Sequence, residues 1–398
     1  MKRVVIVSAK RTPFGRFLGQ LSKLSPVELA VAAGEAALDG VDRSLVEQVI
    51  LGNVLSAGHG MNIARQVSIQ LGLPVESSAT TINMMCGSGM QSAMLAVNAI
   101  RAGDANAVLA GGTESMSQSA LLVNRPEKRQ QPDISNLTDT MQSDGLIDTF
   151  SQRHMGEQAE DLAEEFAISS EQQNLYALRS QHLFAAAQER GAYQDELVSV
   201  GDVAEDQHPR PSLTVEELSG LKPIFRKAGT VTAGNASGVN DGAAVLLLAE
   251  REFALAQGWS ILAEWGHGVS VGCEPSRMGL GPVHAILALM KRTSQTWNDV
   301  DTLEINEAFA AQTLACLQAL TLKITPDEQG SKVMTSTGRL VNFNSEGGAI
   351  AVGHPLAVSG ARLLTHLSWK IFRGESESAI GALCIGGGQG IATSLVRG

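Results

Sequence analysis

The internal repeat of this chain constrains its fold more than any other feature. Residues 107–112 and residues 382–387 each predict a buried strand that ends in a pair of glycines. Residues 46–53 and 300–307 align in the same way, as a strand followed by a polar turn. The duplication predicts two halves of like topology related by an approximate twofold axis. Because ligands of α/β sheets bind at strand ends, we expect the equivalent ends of the two halves to converge on one cleft.

Around the repeated segments, short β-branched runs alternate with helical patterns. Val4–Ala9 predicts a strand, and Ser25 with Glu28 predicts a capping box that opens a helix. Another helix is expected over residues 87–101, where Gly103 follows as its stop signal. This alternation is typical of an α/β fold with a parallel or mixed sheet.

The chain is also too long for one ordinary domain. Its 398 residues fit roughly two to three domains. From about residue 118 to residue 240 the pattern becomes polar and loop-rich, with helices near residues 153–166 and 170–190. This segment predicts an insertion on one side of the sheet.

Charge and composition exclude several classes of function. A formal net charge of −11 argues against a nucleic-acid partner and against docking on anionic lipid. The longest apolar run, Ala243–Ala249, is too short to span a membrane, and the apolar run at the N-terminus is too short for a signal peptide. We therefore expect a cytoplasmic protein. Disulfides and a zinc site are not expected, because the four cysteines are far apart and lack zinc-site spacing.

Cys86 is the first candidate for chemistry. It stands between a predicted strand and a predicted helix, and Gly87 and Gly89 allow the chain to turn sharply there. A helix N-terminus offers N–H groups and a partial positive charge, which would lower the pKa of a thiol and make it nucleophilic. The alternative is a small residue packed at a strand-to-helix corner. The context favours the nucleophile.

Further candidates follow later in the chain. His354, between Gly353 and Pro355, is held in a tight turn and could serve as the base for a thiol. Cys384 could act as an acid or a base, or could be a core cysteine. Gly386 would leave a backbone N–H free for an oxyanion, and Asn306 could orient a water.

These segments carry a resemblance to a known family. Taken together, they resemble the thiolase family, and within it the acetyl-CoA acetyltransferases, over essentially the whole chain. The similar segments, in chain order, are residues 11–15, the Cys86 segment, residues 111–116, 154–156, 232–238, 306–309, 353–355 and 384–388.

The resemblance implies a fold and a domain organisation. Duplicated βαβαβαββ halves would form a five-layered αβαβα arrangement with an inserted loop domain. Residues 1–117 and 241–259 would form the N-terminal half, and residues 260–398 the C-terminal half. Residues 118–240 would form the loop domain, with roles in coenzyme A binding and oligomerisation.

The resemblance also implies catalytic roles. Cys86 matches the nucleophile that becomes S-acylated, and His354 matches the residue that activates it and shares an oxyanion hole with a water held by Asn306. Cys384 matches the acid/base that acts on the α-carbon. The N–H groups of Cys86 and Gly386 would form a second oxyanion hole.

The implied activity is that of an acetyl-CoA C-acetyltransferase, which condenses two acetyl-CoA reversibly by a ping-pong route. The substrates are acyl-CoA thioesters, and neither a metal nor a further cofactor is expected. A 3-ketoacyl-CoA thiolase of broader chain length, in fatty-acid or aromatic degradation, is the alternative. A non-catalytic acyl-binding relative would have lost Cys86 or His354. A ketoacyl synthase would carry a second histidine in place of Cys384.

For coenzyme A, Ser237, His154 and Met278 match positions along the pantetheine tunnel, and Phe225 is placed with them. Arg210 matches a basic residue near the nucleotide phosphates. Other readings are a turn residue for Ser237, core filler for Met278 and a solvated charge for Arg210. Because the chain is acidic overall, coenzyme A requires a locally basic mouth such as that around Arg210.

Two departures from the family pattern flank the candidate base. Ser345 and Glu346 stand before the glycine pair where an Asn-containing pattern is usual, and Ala357 and Val358 stand where Gly-Ala or Gly-Cys is common. We expect both to affect loop shape and acyl-chain preference rather than the chemistry. The loop over residues 119–144 resembles one linked to a homo-oligomer, a dimer or a tetramer.

Overall fold

The computed structural model describes residues 2–126, 131–325 and 330–398. Its strands are β1 (Val4–Arg11), β2 (Gly15–Arg16), β3 (Gln48–Gly52), β4 (Ser78–Ile82), β5 (Ala107–Ser115), β6 (Leu121–Leu122), β7 (Thr138–Asp139), β8 (Asn240–Glu250), β9 (Ala263–Gly272), β10 (Thr302–Ile305), β11 (Lys323–Ile324), β12 (Lys332–Met334), β13 (Leu340–Phe343), β14 (Ser378–Ile385) and β15 (Gln389–Val396).

Its α-helices are α1 (Pro26–Ala37), α2 (Ile63–Gln70), α3 (Ser88–Ala102), α4 (Met155–Glu165), α5 (Ser170–Glu189), α6 (Val215–Ser219), α7 (Arg251–Ala256), α8 (Gly281–Thr293), α9 (Ala310–Ala319), α10 (Ala349–Val352) and α11 (Ser359–Phe372). Within the part of the chain that the structure describes, none of these helices combines the length and apolar character needed to cross a bilayer.

The order of the strands confirms the duplication. In the main sheet, β4-β3-β5-β8-β1 is followed by β9-β15-β14-β10-β13, so each strand of one half has a counterpart across the β1–β9 junction. Counted inwards from the outer end of each half, the first three strands are parallel to one another, and the fourth strand pairs antiparallel with the third. The halves join where Val5 and Ile6 pair with Glu264 and Ala263.

Helices separate and cover the two halves of the sheet. Helices α3 and α11 pack on each other between the halves, and their side chains share one core that includes Met90, Val97, Leu363 and Leu367. Helices α1 and α2 cover the outer face of the N-terminal half, and α8 and α9 cover that of the C-terminal half. The five layers of the predicted fold class follow from this arrangement.

Local signals set most element ends as predicted. Ser25 and Glu28 form the expected capping box at α1, and Gly103, with a φ of 91°, ends α3 in the left-handed conformation. In the segment predicted as an insertion, a second capping box at Ser169 opens α5. This segment packs on the C-terminal half through α4 and α5. The domain boundaries themselves stay a prediction.

One detail of the repeat is wrong. Gly111 and Gly112 do not end their strand, because β5 continues to Ser115. A Cβ at Gly112 would lie 1.9 Å from the carbonyl oxygen of Ala357. The pair is therefore needed where another loop crosses the strand, while Gly386 does follow the end of β14.

Candidate active site

The predicted site residues surround one cavity of about 340 Å³. All of them line it except Asn306: Cys86, His154, Arg210, Phe225, Ser237, Met278, His354, Cys384 and Gly386. Cys384 lies near the carboxyl end of β14 and Asn306 follows β10, its parallel neighbour. Cys86, shortly after β4 of the N-terminal half, lines the same cavity, so strand ends of both halves meet there, as the repeat predicted.

A sharp turn presents Cys86. The Asn83 Oδ1 accepts the N–H of Met85 at 2.9 Å, and the Ser88 Oγ accepts the N–H of Met84 at 2.8 Å. Met85 has a φ of 48°, a left-handed conformation that a non-glycine residue rarely adopts. These contacts place the thiol at the entrance to α3, two residues from its first turn.

The pKa expected for Cys86 is wrong in direction. Burial raises the pKa of the Cys86 thiol to about 11, and the charge of Glu114 adds to the increase. The N–H groups of Gly386 and of Cys86 itself act in the opposite direction, but burial outweighs them. The resting thiol is therefore protonated at neutral pH, and a base must remove its proton.

His354 is suited to that role. Burial, helped by the positive charge of Arg362, lowers the pKa of His354 to about 4, so its ring is neutral at physiological pH. Its backbone N–H donates to the Asn240 Oδ1 at 2.9 Å, and Gly353 adopts a φ of 109°. The Nδ1 atom lies 2.5 Å from the Ser359 Oγ, which leaves Nε2 as the nitrogen available for reaction.

Cys384 lies in a small apolar cluster with Met155, Met278 and Ala308. Burial raises the pKa of the Cys384 thiol well above its ordinary value, and the nearby Cys86 raises it further. Two interacting thiols of this kind resist ionising together. A proton can therefore be held on one sulfur while the other reacts.

Asn306 stands behind the cavity wall. Its side chain is buried, and its Nδ2 lies 3.4 Å from the Nδ1 of His354. Within the described ranges, its Oδ1 has no hydrogen-bond partner. Its predicted part in holding a water stays a prediction.

The outer part of the cavity holds the residues predicted for coenzyme A. The His154 Nδ1 caps α4 by accepting the Gly156 N–H at 3.0 Å, and its ring stacks on Phe225 with centroids 4.5 Å apart. Arg210 is exposed. Burial lowers the pKa of His208 to about 4, and the positive charges of Arg210 and Arg16 add to the decrease. The cavity therefore has an aromatic wall and a basic group at its rim.

Sequence reasoning missed the residues that hold the His354 loop. The Glu114 carboxylate accepts N–H groups from Val54, Leu55 and Ala357 at 3.0 to 3.1 Å, and burial raises its pKa to about 7. Glu114 belongs to one of the segments similar to the family, but nothing in that segment indicated a role. Asn240 lies far from His354 in sequence, and Ser359 follows His354 across the turn at Pro355. Only the fold brings both side chains to His354.

The two departures have distinct surroundings. Glu346 is buried, contacts Arg190, and lies 2.7 Å from the Nε2 of His366 and 3.1 Å from the Nζ of Lys370. Ala357 packs in the same apolar cluster as Cys86. Their expected effect on acyl-chain preference stays a prediction.

Comparisons with known proteins agree with this arrangement. Residues 4–252 match the N-terminal domain of thiolases, and residues 259–397 match the thiolase C-terminal domain. An acetyl-CoA acetyltransferase of Cupriavidus necator is 43% identical over 408 residues, covering 100% of both chains. A probable acetyl-CoA acyltransferase of Staphylococcus aureus is 41% identical over 408 residues, again with 100% of each chain covered.

Solved structures show the same fold. Human mitochondrial 3-ketoacyl-CoA thiolase superposes with a TM-score of 0.91 at 39% identity, covering 100% of this chain and 99% of that one. A second structure of that enzyme is a complex with CoA. The acetyl-CoA acetyltransferase of Bacillus anthracis also has a TM-score of 0.91, at 38% identity, with coverage of 100% and 99%.

Proposed function

The chain belongs to the thiolase family, and on this premise we propose that it is an acetyl-CoA C-acetyltransferase. It condenses two molecules of acetyl-CoA to acetoacetyl-CoA and CoA, reversibly, through an S-acetyl intermediate on Cys86. The observation that carries the proposal is the convergence of Cys86, His354 and Cys384 on one cavity. Full-length relatives named acetyl-CoA acetyltransferase support it.

The first half-reaction transfers the acetyl group. The neutral His354 takes the Cys86 proton at Nε2 as the sulfur attacks the thioester carbonyl. The carbon–sulfur bond to CoA breaks, and the leaving CoA thiolate takes the proton of Cys384. The products are CoA thiol, S-acetyl-Cys86, a Cys384 thiolate and a protonated His354. The positive imidazole lowers the pKa of the neighbouring thiol and favours this transfer.

The second half-reaction forms the carbon–carbon bond. The Cys384 thiolate removes a proton from the α-carbon of a second acetyl-CoA, and its buried setting makes it a strong base. The enolate carbon attacks the acetyl group on Cys86, and acetoacetyl-CoA leaves. The Cys86 thiolate then recovers its proton from His354. Throughout, the protonated His354 and the N–H groups of Cys86 and Gly386 stabilise oxygen-centred negative charge.

We assign substrate binding to the outer part of the cavity. His154, Phe225, Ser237 and Met278 line the path for pantetheine, and Arg210 faces the phosphates of the nucleotide. The chemistry uses two thiols and one imidazole, and we propose that it needs neither a metal nor a further cofactor.

A broader 3-ketoacyl-CoA thiolase remains the second candidate, because a human enzyme of that name shares 39% identity and the fold. The short-chain assignment is supported by large side chains around Cys384. Leu146, Met155, Met278 and Phe309 belong to the apolar cluster that contains Cys384, and we propose that they limit the length of the acyl chain. A role in fatty-acid metabolism would follow if this second candidate is the function of the protein.

We further propose a homo-oligomer, a dimer or a tetramer, in the cytoplasm. Strand β4 lies at the edge of the main sheet, and the β6–β7 segment exposes large apolar side chains: Leu121, Leu122, Val123, Ile134 and Leu137. Exposed apolar patches and open sheet edges are typical of subunit contacts. A reducing compartment would keep Cys86 and Cys384 as thiols. Light scattering of the purified protein measures the subunit number directly.

The experiment that tests the function combines mass spectrometry with substrate profiling. Incubation with acetyl-CoA should add one acetyl group to Cys86, and Cys86→Ala should remove it. Thiolysis rates on 3-ketoacyl-CoA substrates of four, six and ten carbons should fall with length. Full activity in Cys86→Ala would contradict the mechanism, and a flat or rising length profile would favour the second candidate.

A further inference from the structure

The nitrogen of His354 that does not face the chemistry has a built partner. Its Nδ1 lies 2.5 Å from the Ser359 Oγ, and Ser359 is only 1% exposed. The Asn306 Nδ2 lies 3.4 Å from the same nitrogen, and this longer contact is the weaker of the two. Within the described ranges, the Nε2 of His354 has no protein partner.

The direction of the Ser359 hydrogen bond follows from its second contact. The Ser359 hydroxyl also lies 3.3 Å from the carbonyl oxygen of Pro355, which can accept its proton. With its own proton directed there, the Ser359 Oγ accepts the N–H of the His354 Nδ1. A neutral imidazole protonated at Nδ1 carries its lone pair on Nε2, which is the form that a base requires.

The chemical nature of this partner also matters. A carboxylate beside Nδ1 would stabilise the imidazolium and raise the pKa of His354. A hydroxyl orients the ring but adds no charge, so the resting ring stays neutral. The other ionisable groups near His354 do not take the place of Ser359 as the uncharged partner of Nδ1. They are Cys86, Cys384, His154, His208 and Arg210 around the cavity, Arg362 on the same helix as Ser359, Glu114 through Ala357, and Glu307 beside Asn306.

We propose that Ser359 is a positioning residue for the transferase reaction: it holds His354 in the Nδ1–H form as an uncharged partner, so that Nε2 can take the proton of Cys86. The inference deepens the proposed function and rests on it. Nothing in the residues around Ser359 suggested this role, because the serine is the first residue of α11 and reaches His354 only across the turn at Pro355.

The test measures the rate of Cys86 acetylation in a single turnover with acetyl-CoA, together with the pH profile of that rate. In Ser359→Ala, Cys86 should be acetylated about 10 to 100 times more slowly, while the steady-state KM for acetyl-CoA should change by less than about threefold. Ser359→Thr, which retains a hydroxyl, should recover most of the rate. Ser359→Asp should raise the apparent pKa of the acid limb by about 1 to 3 because of its negative charge.

Ser368→Ala is the matched control. Ser368 is a fully buried serine of the same helix, and its Oγ donates to the carbonyl of Leu364 at 2.7 Å. Its rate and pH profile should equal those of the wild type. An equal loss of rate in this control would overturn the inference, and so would wild-type acetylation in Ser359→Ala or an unmoved acid limb in Ser359→Asp.

The outcomes for the two proposals are distinguishable. If the wild-type protein does not acetylate Cys86, the proposed transferase function fails. If the wild type acetylates Cys86 and Ser359→Ala does so equally fast, only the role of Ser359 fails. Melting temperatures of all variants separate a loss of fold from a loss of rate. If Ser359→Ala does not fold, the apparent pKa of the acid limb is compared between Ser359→Asp and Ser359→Thr. A higher pKa in Ser359→Asp supports the role of Ser359, and equal pKa values overturn it.

Discussion

Replacing Glu346 with glutamine should remove the centre of a buried charge network. The Glu346 side chain is 2% exposed and approaches three cations: Arg190, His366 at 2.7 Å and Lys370 at 3.1 Å. His366 also bonds to Glu196 at 3.0 Å, and Glu196 pairs with Arg11 at 2.6 Å. Glu346→Gln keeps the shape but leaves the cations short of one charge.

The expected loss of folding stability in Glu346→Gln is large for so small a change in the side chain. Breaking one partner out of a buried ion pair costs about 3 to 5 kcal/mol, since the remaining charges stay desolvated. Urea unfolding at neutral pH, followed by circular dichroism, measures this change in the free energy of unfolding. Glu377→Gln is the control, because Glu377 pairs with Arg397 at 2.9 Å on the surface, where the side chains are 62% and 50% exposed. That substitution should cost less than about 1 kcal/mol.

The same network predicts a pH dependence. Glu196 and Glu346 raise the pKa of His366 to about 9, against 6.5 for an ordinary histidine. Because the folded pKa is the higher one, the stabilisation is complete below pH 6.5 and is lost as the pH rises through about 9. Glu346→Gln should flatten this decline. If Glu346→Gln lost less than about 1 kcal/mol of unfolding free energy at neutral pH, and if its stability declined above neutral pH as steeply as that of the wild type, the reasoning would be refuted.

Three further outcomes are expected. Because burial lowers the pKa of His354 to about 4, kcat/KM of the wild type should fall only as the pH drops below about 5, and a limb at 6.5 or above would contradict a buried neutral base. Cys384→Ala should still acetylate Cys86, more slowly because CoA must then leave as its thiolate, but should lose condensation by about 100-fold or more, measured as acetoacetyl-CoA formation; equal loss of both steps would contradict the role of Cys384 as the base of the second step. Arg210→Ala should raise KM for acetyl-CoA about five- to tenfold with kcat unchanged, and the difference should shrink in high salt; a KM that stays the same would remove Arg210 from the phosphate site.

Much of the fold could be predicted because its signals are local. The capping box of Ser25 and Glu28, the stop at Gly103 and the alternation of buried strands depend on residues within a few positions of each other. The repeat then related the two halves without any contact being known. Strands β11 to β13 were not foreseen, because each is only two to four residues long and such short runs show no clear periodic pattern.

The candidate site divides in the same way. Sequence alone determined which groups were candidates, because Cys86 and His354 stand in short glycine-containing turns and Cys384 stands just before the glycine run that follows β14. It also indicated that the repeated strand ends would bring them together. Composition and charge excluded nucleic-acid chemistry, and the resemblance supplied the thioester substrate.

Only the tertiary structure decided the protonation states and the supporting partners. A helix N-terminus suggested a lowered pKa for Cys86, yet burial by segments distant in sequence raises it to about 11. The same long-range packing lowers the pKa of His354, places Ser359 at its Nδ1 and surrounds Glu346 with cations. Desolvation depends on everything that excludes water from a group, and no local pattern in a sequence records that.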